Sequence, residues 1–397
     1  MAKTPHPESP REARMAESPR EARMAESPRE ARAADEPRRG PRLRVWWVFL
    51  AIVLVVYVLY TIWLGGAYQT AGPFVAGQCS AVDAPAGPED ILILPDGKAA
   101  LISAQDRRNR QSDGGLWLYD LSRQPAVPQQ LAVPAGMPFH PQGLSLYTAA
   151  DGTWYLQVIN NRSDERRTVE IFVIEGEGSA LKLRHRGTIS SDLFISPNAL
   201  AATGPESFYL TNDRGSGPRW MHAVENILQL SRSTIVLNDE RGARLAAEDI
   251  AFANGIALGR DGESLVVGST LWRMLLAYQR DPLSGLIKRT GSLALPGGVD
   301  NLRLDDEGDL WAALHVNSFA FIGHARNPEK QSPSRIVRIH SDLRGATRVQ
   351  EVFADPGELL SGASVAAHHR GRLLIGATFQ PRILDCQLDP AKFRDID

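Results

Sequence analysis

Apolar side chains run unbroken in one stretch of the chain and come in short bursts elsewhere. The unbroken stretch is "VWWVFLAIVLVVYVLYTIWL", residues 45–64, with no charge in it. At ~1.5 Å per residue it predicts one helix matched to the hydrocarbon core of a bilayer. Trp46, Trp47 and Trp63 sit at its ends, where aromatic belts form. The bursts keep a different rhythm. "LPDGKAALISA" starts at Leu94, "AADGTWYLQVIN" at Ala149, "TGPESFYLTND" at Thr203, "GRDGESLVVGST" at Gly259, "DDEGDLWAALH" at Asp305 and "HHRGRLLIGAT" at His368. Each is a polar turn followed by five to seven mostly apolar residues, the pattern of a turn leading into a strand. Further strand-like runs such as "TVEIFVIEG", "LLAYQRD" and "RIVRIHSD" lie between them, without a long amphipathic helix. Six copies at spacings of about 45 to 65 residues fit four-stranded propeller blades. The expected fold class is all-β: a six-bladed β-propeller over residues 79–388, preceded by a disordered tail and one N-terminal transmembrane helix.

Composition changes the picture at the ends. Residues 9–32 repeat "SPREARMAE" with almost no apolar side chains, so they cannot bury enough surface to offset their chain entropy. The expected layout is a disordered cytoplasmic tail over 1–44, a signal-anchor helix over 45–64, a linker over 65–78, the propeller, and a C-terminal tail over 389–397. Arg38, Arg39, Arg42 and Arg44 precede the helix, and the next charge is Asp83. The positive-inside rule then puts the N-terminus in the cytoplasm and the propeller in the periplasm or a lumen. A cleaved signal peptide is the competing reading, although the run exceeds the usual ~7–15-residue apolar region of such peptides. The net charge of −2 and the lack of a basic block after the helix argue against nucleic acid as a partner. Cys79 and Cys386, the two cysteines, bracket the propeller. On the oxidising side of a membrane they read as one disulfide tying the first and last blades, the alternative being two separate buried thiols.

The strand before each turn opens with a polar residue. The six entries are "GPEDILIL", "HPQGLSLY", "SPNALAAT", "FANGIALG", "GVDNLRLD" and "SGASVAAH". They supply Glu89 and Asp90, Gln142, Asn198, Asn254, Asp300 and Asn301, and Ser364. An amide such as Asn254 is out of place in an apolar strand. It makes sense if the strand is the innermost of its blade and its first residues face the central channel, where all six entries converge. Carboxylates and amide carbonyls without thiol or imidazole form a hard-cation set, because Ca²⁺ takes six to eight oxygens while Zn²⁺ wants His or Cys. The alternative is that these side chains only solvate a water-filled tunnel. GxSxG, HExxH and P-loop signatures are absent from the sequence.

The segments "EDILILPDG", "TVEIFVIE", "GPESFYLTND", "FANGIALGRDG", "VDNLRLDDEGDLWAALH", "GRLLIGATF" and "DCQL" keep the order and spacing of a known family. Over nearly all of 79–388 the chain resembles the serum paraoxonase/arylesterase family of calcium-dependent lactonases. It resembles gluconolactonase/regucalcin and strictosidine-synthase-like propellers more weakly. The resemblance implies one catalytic calcium held by Glu89, Asn198, Asn254, Asp300 and Asn301, and a Cys79–Cys386 disulfide. It also implies a second, structural calcium at Asp90 and the Leu144 carbonyl, but the third position of that set is Ala199 here.

A larger departure concerns the base. The histidine pair assigned as general base in the family falls on Gln142 and Asn161, and neither takes a proton near neutral pH. His140 and His315, the latter matching a family pocket histidine, are the remaining imidazole candidates. Asp300 matches the calcium-bound Asp assigned to water activation in gluconolactonase-type relatives, and Asp213 of "TND" is expected to lie near it and to help orient or deprotonate water. The expected function is hydrolysis of a small ester or lactone by a membrane-anchored, calcium-dependent arylesterase/lactonase-like enzyme. Two alternatives stay open: a calcium-binding propeller that binds a ligand or partner without catalysis, and a strictosidine-synthase-like enzyme. Neither the substrate nor the oligomeric state follows from the sequence.

Overall fold

The computed structural model describes residues 41–109, 111–123, 125–162, 167–216, 218–340 and 347–396. The expected disordered tail lies almost wholly outside the described residues. Two compact units are distinguished, 1–54 and 55–397. Helix α1 is Pro41–Leu64, and its Arg44–Leu64 portion is long and apolar enough to cross a membrane. A signal sequence meets the same test.

The larger unit is the expected six-bladed propeller. Its inner strands are Pro88–Ile93, Pro141–Thr148, Pro197–Ala202, Ala253–Leu258, Gly298–Leu304 and Ala363–His369, here numbered blades 1 to 6. Each packs beside the inner strands of the two neighbouring blades, closing a ring. Inner strands are covered on both faces, so they read as nearly continuous apolar runs. Outer strands face water on one side, and Lys182–Ser190 accordingly alternates exposed and half-buried positions.

The last blade is completed by the N-terminal strand Gly77–Asp83, which pairs with Arg382–Leu388. Cys79 stands opposite Cys386 in that register, and the two form a disulfide. The bridge therefore lies within blade 6 rather than between the first and last blades. It still closes the ring, because one of its strands comes from the start of the chain. The expected linker and C-terminal tail also carry structure. Phe74–Val75 and Arg394–Asp395 both pair with Arg348–Asp355, extending blade 5 to six strands. Backbone donors and acceptors left open on that edge strand are what recruits them.

All six inner strands share one irregularity. The register with the second strand shifts between Pro88 and Asp90, Pro141 and Leu144, Pro197 and Leu200, Ala253 and Ile256, Val299 and Leu302, and Ala363 and Val365. The residues skipped by the ladder include Glu89, Gln142, Asn198, Asn254, Asp300 with Asn301, and Ser364, all singled out by the sequence, whereas Asp90 stays in register with Ser103. A bulge frees a residue from pairing and re-aims its side chain. Gly143 and Gly255, next to two of these, allow the inner strands to close up: a Cβ on Gly255 would stand 2.4 Å from Leu302 N, and one on Gly143 would stand 2.7 Å from Asn198 O.

Two short helices that the strand pattern did not reveal interrupt the blades. Helix α2 is Arg219–Leu228 and α3 is Ser318–Arg326. Asn317 caps α3 by accepting from the amides of Phe319 and Ala320.

Candidate active site and cation site

The N-terminal ends of the inner strands line a cavity of about 460 Å³, within the range of roughly 300–1,000 Å³ typical of small-molecule sites. Glu89, Gln142, Asn198, Asp213, Asn254, Asp300 and His315 all contribute to its wall. Its upper part is apolar, built from Phe252, Phe379, Phe321, Phe319 and Ile322 of α3, Ile227 of α2, and Thr61 and Leu64 at the end of α1. Arg273 holds that helix end by donating to Leu64 O at 2.9 Å, and Ser318 N donates to Gly65 O at 2.9 Å.

Two oxygens on the polar wall are conspicuous. Asn198 Oδ1 and Asn254 Oδ1 are buried and have no hydrogen-bond partner. Their orientation follows from the other end of each amide. Asn198 Nδ2 donates to Asp213 Oδ2 at 3.4 Å, and a carboxylate accepts only from the NH₂ end. Asn254 Nδ2 donates to Thr270 Oγ1 at 3.1 Å, and that hydroxyl spends its own proton on Val299 O at 2.6 Å. Burying an amide oxygen without a partner costs about 1–3 kcal/mol, so two on one cavity wall mark a place for a hydrogen-bond donor or a cation. Glu89 and Asp300 supply carboxylates on the same wall. Asn301 Nδ2 donates to both Glu89 O and Glu89 Oε1 at 3.1 Å, and Ser364 Oγ donates to Glu89 O at 2.7 Å. Burial pushes the Glu89 carboxyl up to about 8, against the pull of Arg107 and with help from the nearby Asp300 and Asp90 charges. This donor set of hard oxygens, two carboxylates and two free amide carbonyls, fits a divalent cation.

His315 Nε2 lies 2.9 Å from Asp300 Oδ2, and its Nδ1 is buried without a partner. A neutral imidazole in this setting donates from Nε2 to the carboxylate. The expected candidates elsewhere fare differently. Asp213 is occupied by Ser196 Oγ, by Asn198 Nδ2, and by Arg214 Nη1 at 2.7 Å. It orients the Asn198 amide instead of offering an open oxygen to water. Gln142 and Asn161 hold each other, Asn161 Nδ2 donating to Gln142 Oε1 at 2.6 Å, while Arg167 Nε donates to Asn161 Oδ1 at 3.2 Å. His140 precedes its strand and faces Asp113, 3.6 Å away, outside the cavity lining. The reason is the bulge after Pro141, which breaks the alternation that would have given His140 and Gln142 the same facing.

Asp90 and Leu144 are not part of this wall. Both are engaged by Arg303, from blade 5. The other residues missed in the sequence are Arg107, 3.4 Å from Glu89 Oε2, and Arg214, stacked 4.7 Å over Phe252. An arginine alone in a loop carries no signal of its partner. A different acidic group, Asp305, Glu307 and Asp309, is close-set enough to hold a cation. It sits in the turn after the blade 5 inner strand, where Asp305 takes Trp311 Nε1 and His368 Nδ1, and Asp309 takes Arg338 and His340. Those partners already occupy the Asp305 and Asp309 carboxylate oxygens.

The fold and this wall define a class: a propeller with an oxygen-lined site at one end of its channel, under an apolar mouth. The chain belongs to the arylesterase family, whose profile matches residues 79–388. It is 32% identical to serum paraoxonase/arylesterase 1 of Rattus norvegicus, across 81% of this chain and 92% of that one. It is 31% identical to serum paraoxonase/lactonase 3 of Homo sapiens, across 76% and 86%. Among solved structures, a luciferin-regenerating enzyme aligns with a TM-score of 0.48 at 12% identity, covering 78% of this chain and 95% of its own.

Proposed function

We propose that the chain is a membrane-anchored, calcium-dependent hydrolase of a small apolar ester or lactone. The observation that carries this is the pair of orphaned amide oxygens, Asn198 Oδ1 and Asn254 Oδ1, beside Glu89 and Asp300 in one cavity. Together with Asn301 they would hold calcium; bound there, the ion supplies Lewis acidity to a substrate carbonyl and to the oxyanion that develops from it. Asp300 orients water and takes its proton. His315, through its Nε2 contact, fixes the orientation of that carboxylate. The phenylalanines and Ile227 and Ile322 hold the acyl or aryl part and exclude bulk water. The names of the relatives agree with this chemistry.

The test is hydrolysis of phenyl acetate and a panel of lactones with and without chelator, alongside calcium content. Turnover that vanishes with chelation and returns with calcium supports the reading. Undiminished turnover in chelator, or none on any substrate with calcium bound, refutes it. The second result would favour a binding module, a reading motivated by the amide pair Gln142–Asn161, which cannot serve as a base. Anchoring is tested separately. Protease added outside intact cells or spheroplasts should digest the propeller and spare an N-terminal tag.

A further inference from the structure

The residue after Glu89 belongs to a second polar centre, deeper in the channel. Asp90 is 2% exposed. Its Oδ1 accepts from Ile91 N at 3.0 Å and its Oδ2 from Leu144 N at 2.7 Å. Three oxygens converge here: Asp90 Oδ2, Ile91 O and Leu144 O, from the inner strands of blades 1 and 2. By family resemblance Asp90 and the Leu144 carbonyl are ligands of a second, structural calcium. The residues present do not fit that ion. The third expected carboxylate is Ala199. The space between the remaining oxygens is taken by Arg303, which reaches in from blade 5. Its Nε donates to Ile91 O at 2.8 Å, its Nη1 to Leu144 O at 3.0 Å, and its Nη2 to Asp90 Oδ2 at 2.5 Å. Arg303 also lines a second cavity of about 350 Å³ formed by the C-terminal halves of the inner strands, so it sits between the two ends of the channel.

We propose that the Arg303 guanidinium is a built-in cation that replaces the structural metal, leaving this chain with one divalent site instead of two. The chemistry matches group for group. A metal there would neutralise one buried carboxylate, satisfy backbone carbonyls and tie neighbouring blades together. A guanidinium carries one fixed positive charge that is not lost at any working pH, and its rigid fork offers N–H donors in the directions those carbonyls need. One positive charge against one carboxylate is also the right count once the second carboxylate has become Ala199. The two changes belong together: a dication beside Asp90 alone would be under-neutralised and short of ligands, and a guanidinium beside two carboxylates would leave a buried negative charge. The ties between blades 1, 2 and 5 thus need no dissolved ion.

The inference is tested on the full-length chain in detergent by calcium stoichiometry and thermal unfolding. Wild type should bind one calcium at most. The count of one rests on the proposed function, and zero would refute that function while leaving Arg303 in its role. Two tightly bound ions would overturn the inference. The variant Arg303→Ser combined with Ala199→Asp exposes the oxygen set again. It should unfold well below wild type in low calcium, and it should bind one ion more than wild type as calcium is raised through the millimolar range, with recovery of the lost melting temperature. Destabilisation that no divalent ion reverses would show that Arg303 is a strut without the role of a cation. Should the double variant fail to fold, Arg303→Lys provides the remaining arm. It keeps the charge, loses the fork, and should keep the wild-type ion count. A gain of one ion in Arg303→Lys would contradict the proposal.

Discussion

Replacing Asn254 by leucine should change the sign of its effect on stability with calcium. Asn254 is 3% exposed, and its Oδ1 has no partner in the protein. In the metal-free protein this oxygen costs about 1–3 kcal/mol. Leucine is also branched at Cγ and removes that cost, at the loss of the Nδ2 bond to Thr270, worth about 1 kcal/mol. Thr270 keeps its bond to Val299 O, so nothing new is stranded. The net is about 0–2 kcal/mol in favour of the variant, or roughly 0–4 °C at about 2 °C per kcal/mol. With calcium at ~1,000 times its dissociation constant the ranking turns over, because wild type then gains about 4 kcal/mol that a chain lacking this ligand largely forgoes. The assay is thermal unfolding of both proteins in chelator and in millimolar calcium. A variant less stable than wild type by the same margin in both buffers would refute the reasoning, since Asn254 would then be a packing residue with no stake in a cation.

Three further outcomes are expected. Burial raises Glu89 to about 8 from an ordinary value of 4.5, so in metal-free protein its stabilising contribution is complete below 4.5 and is lost as pH rises through 8; a cation needs the carboxylate, so calcium affinity should climb up to about tenfold per pH unit across that window, and calorimetry showing pH-independent binding from 5 to 8 would contradict this. Asp300→Asn, measured at saturating calcium, should lower kcat by about 10²–10⁴ with a smaller effect on KM, and ordinary turnover with calcium bound would remove Asp300 from the mechanism. Cys79→Ser with Cys386→Ser opens a closure of 307 residues; the loop-entropy relation gives upward of about 4.7 kcal/mol for so long a loop, of which a part should appear as lower thermal stability, and an unchanged melting temperature would mean that strand pairing alone closes blade 6.

How much of this molecule can be read in its sequence depends on the range over which each feature is determined. Turn chemistry and strand alternation are local, so the six repeats from Leu94 to His368 carry the blade count, and the polar residue at the head of each inner strand marks the channel end where the site lies. The unbroken apolar run likewise specifies helix α1 by composition alone. The pairing of Cys79 with Cys386 spans 307 residues and is legible for another reason: two cysteines allow one partner each. What tertiary structure alone decided is orientation and partnership. The sequence offers His140 as an imidazole two residues before Gln142, where strand alternation would give a similar facing, and only the bulge after Pro141 turns one out to Asp113 and leaves the other in the cavity. It offers Asp213 as a free carboxylate, and only the fold surrounds it with Ser196, Asn198 and Arg214. Arg303 is one basic residue in a strand, 213 positions from the Asp90 it neutralises, and no local pattern announces such a contact. The physical reason is the ring. Closing it brings strand heads from distant parts of the chain onto one axis, where water is scarce and each charge must find its counterpart across the channel instead of along the chain.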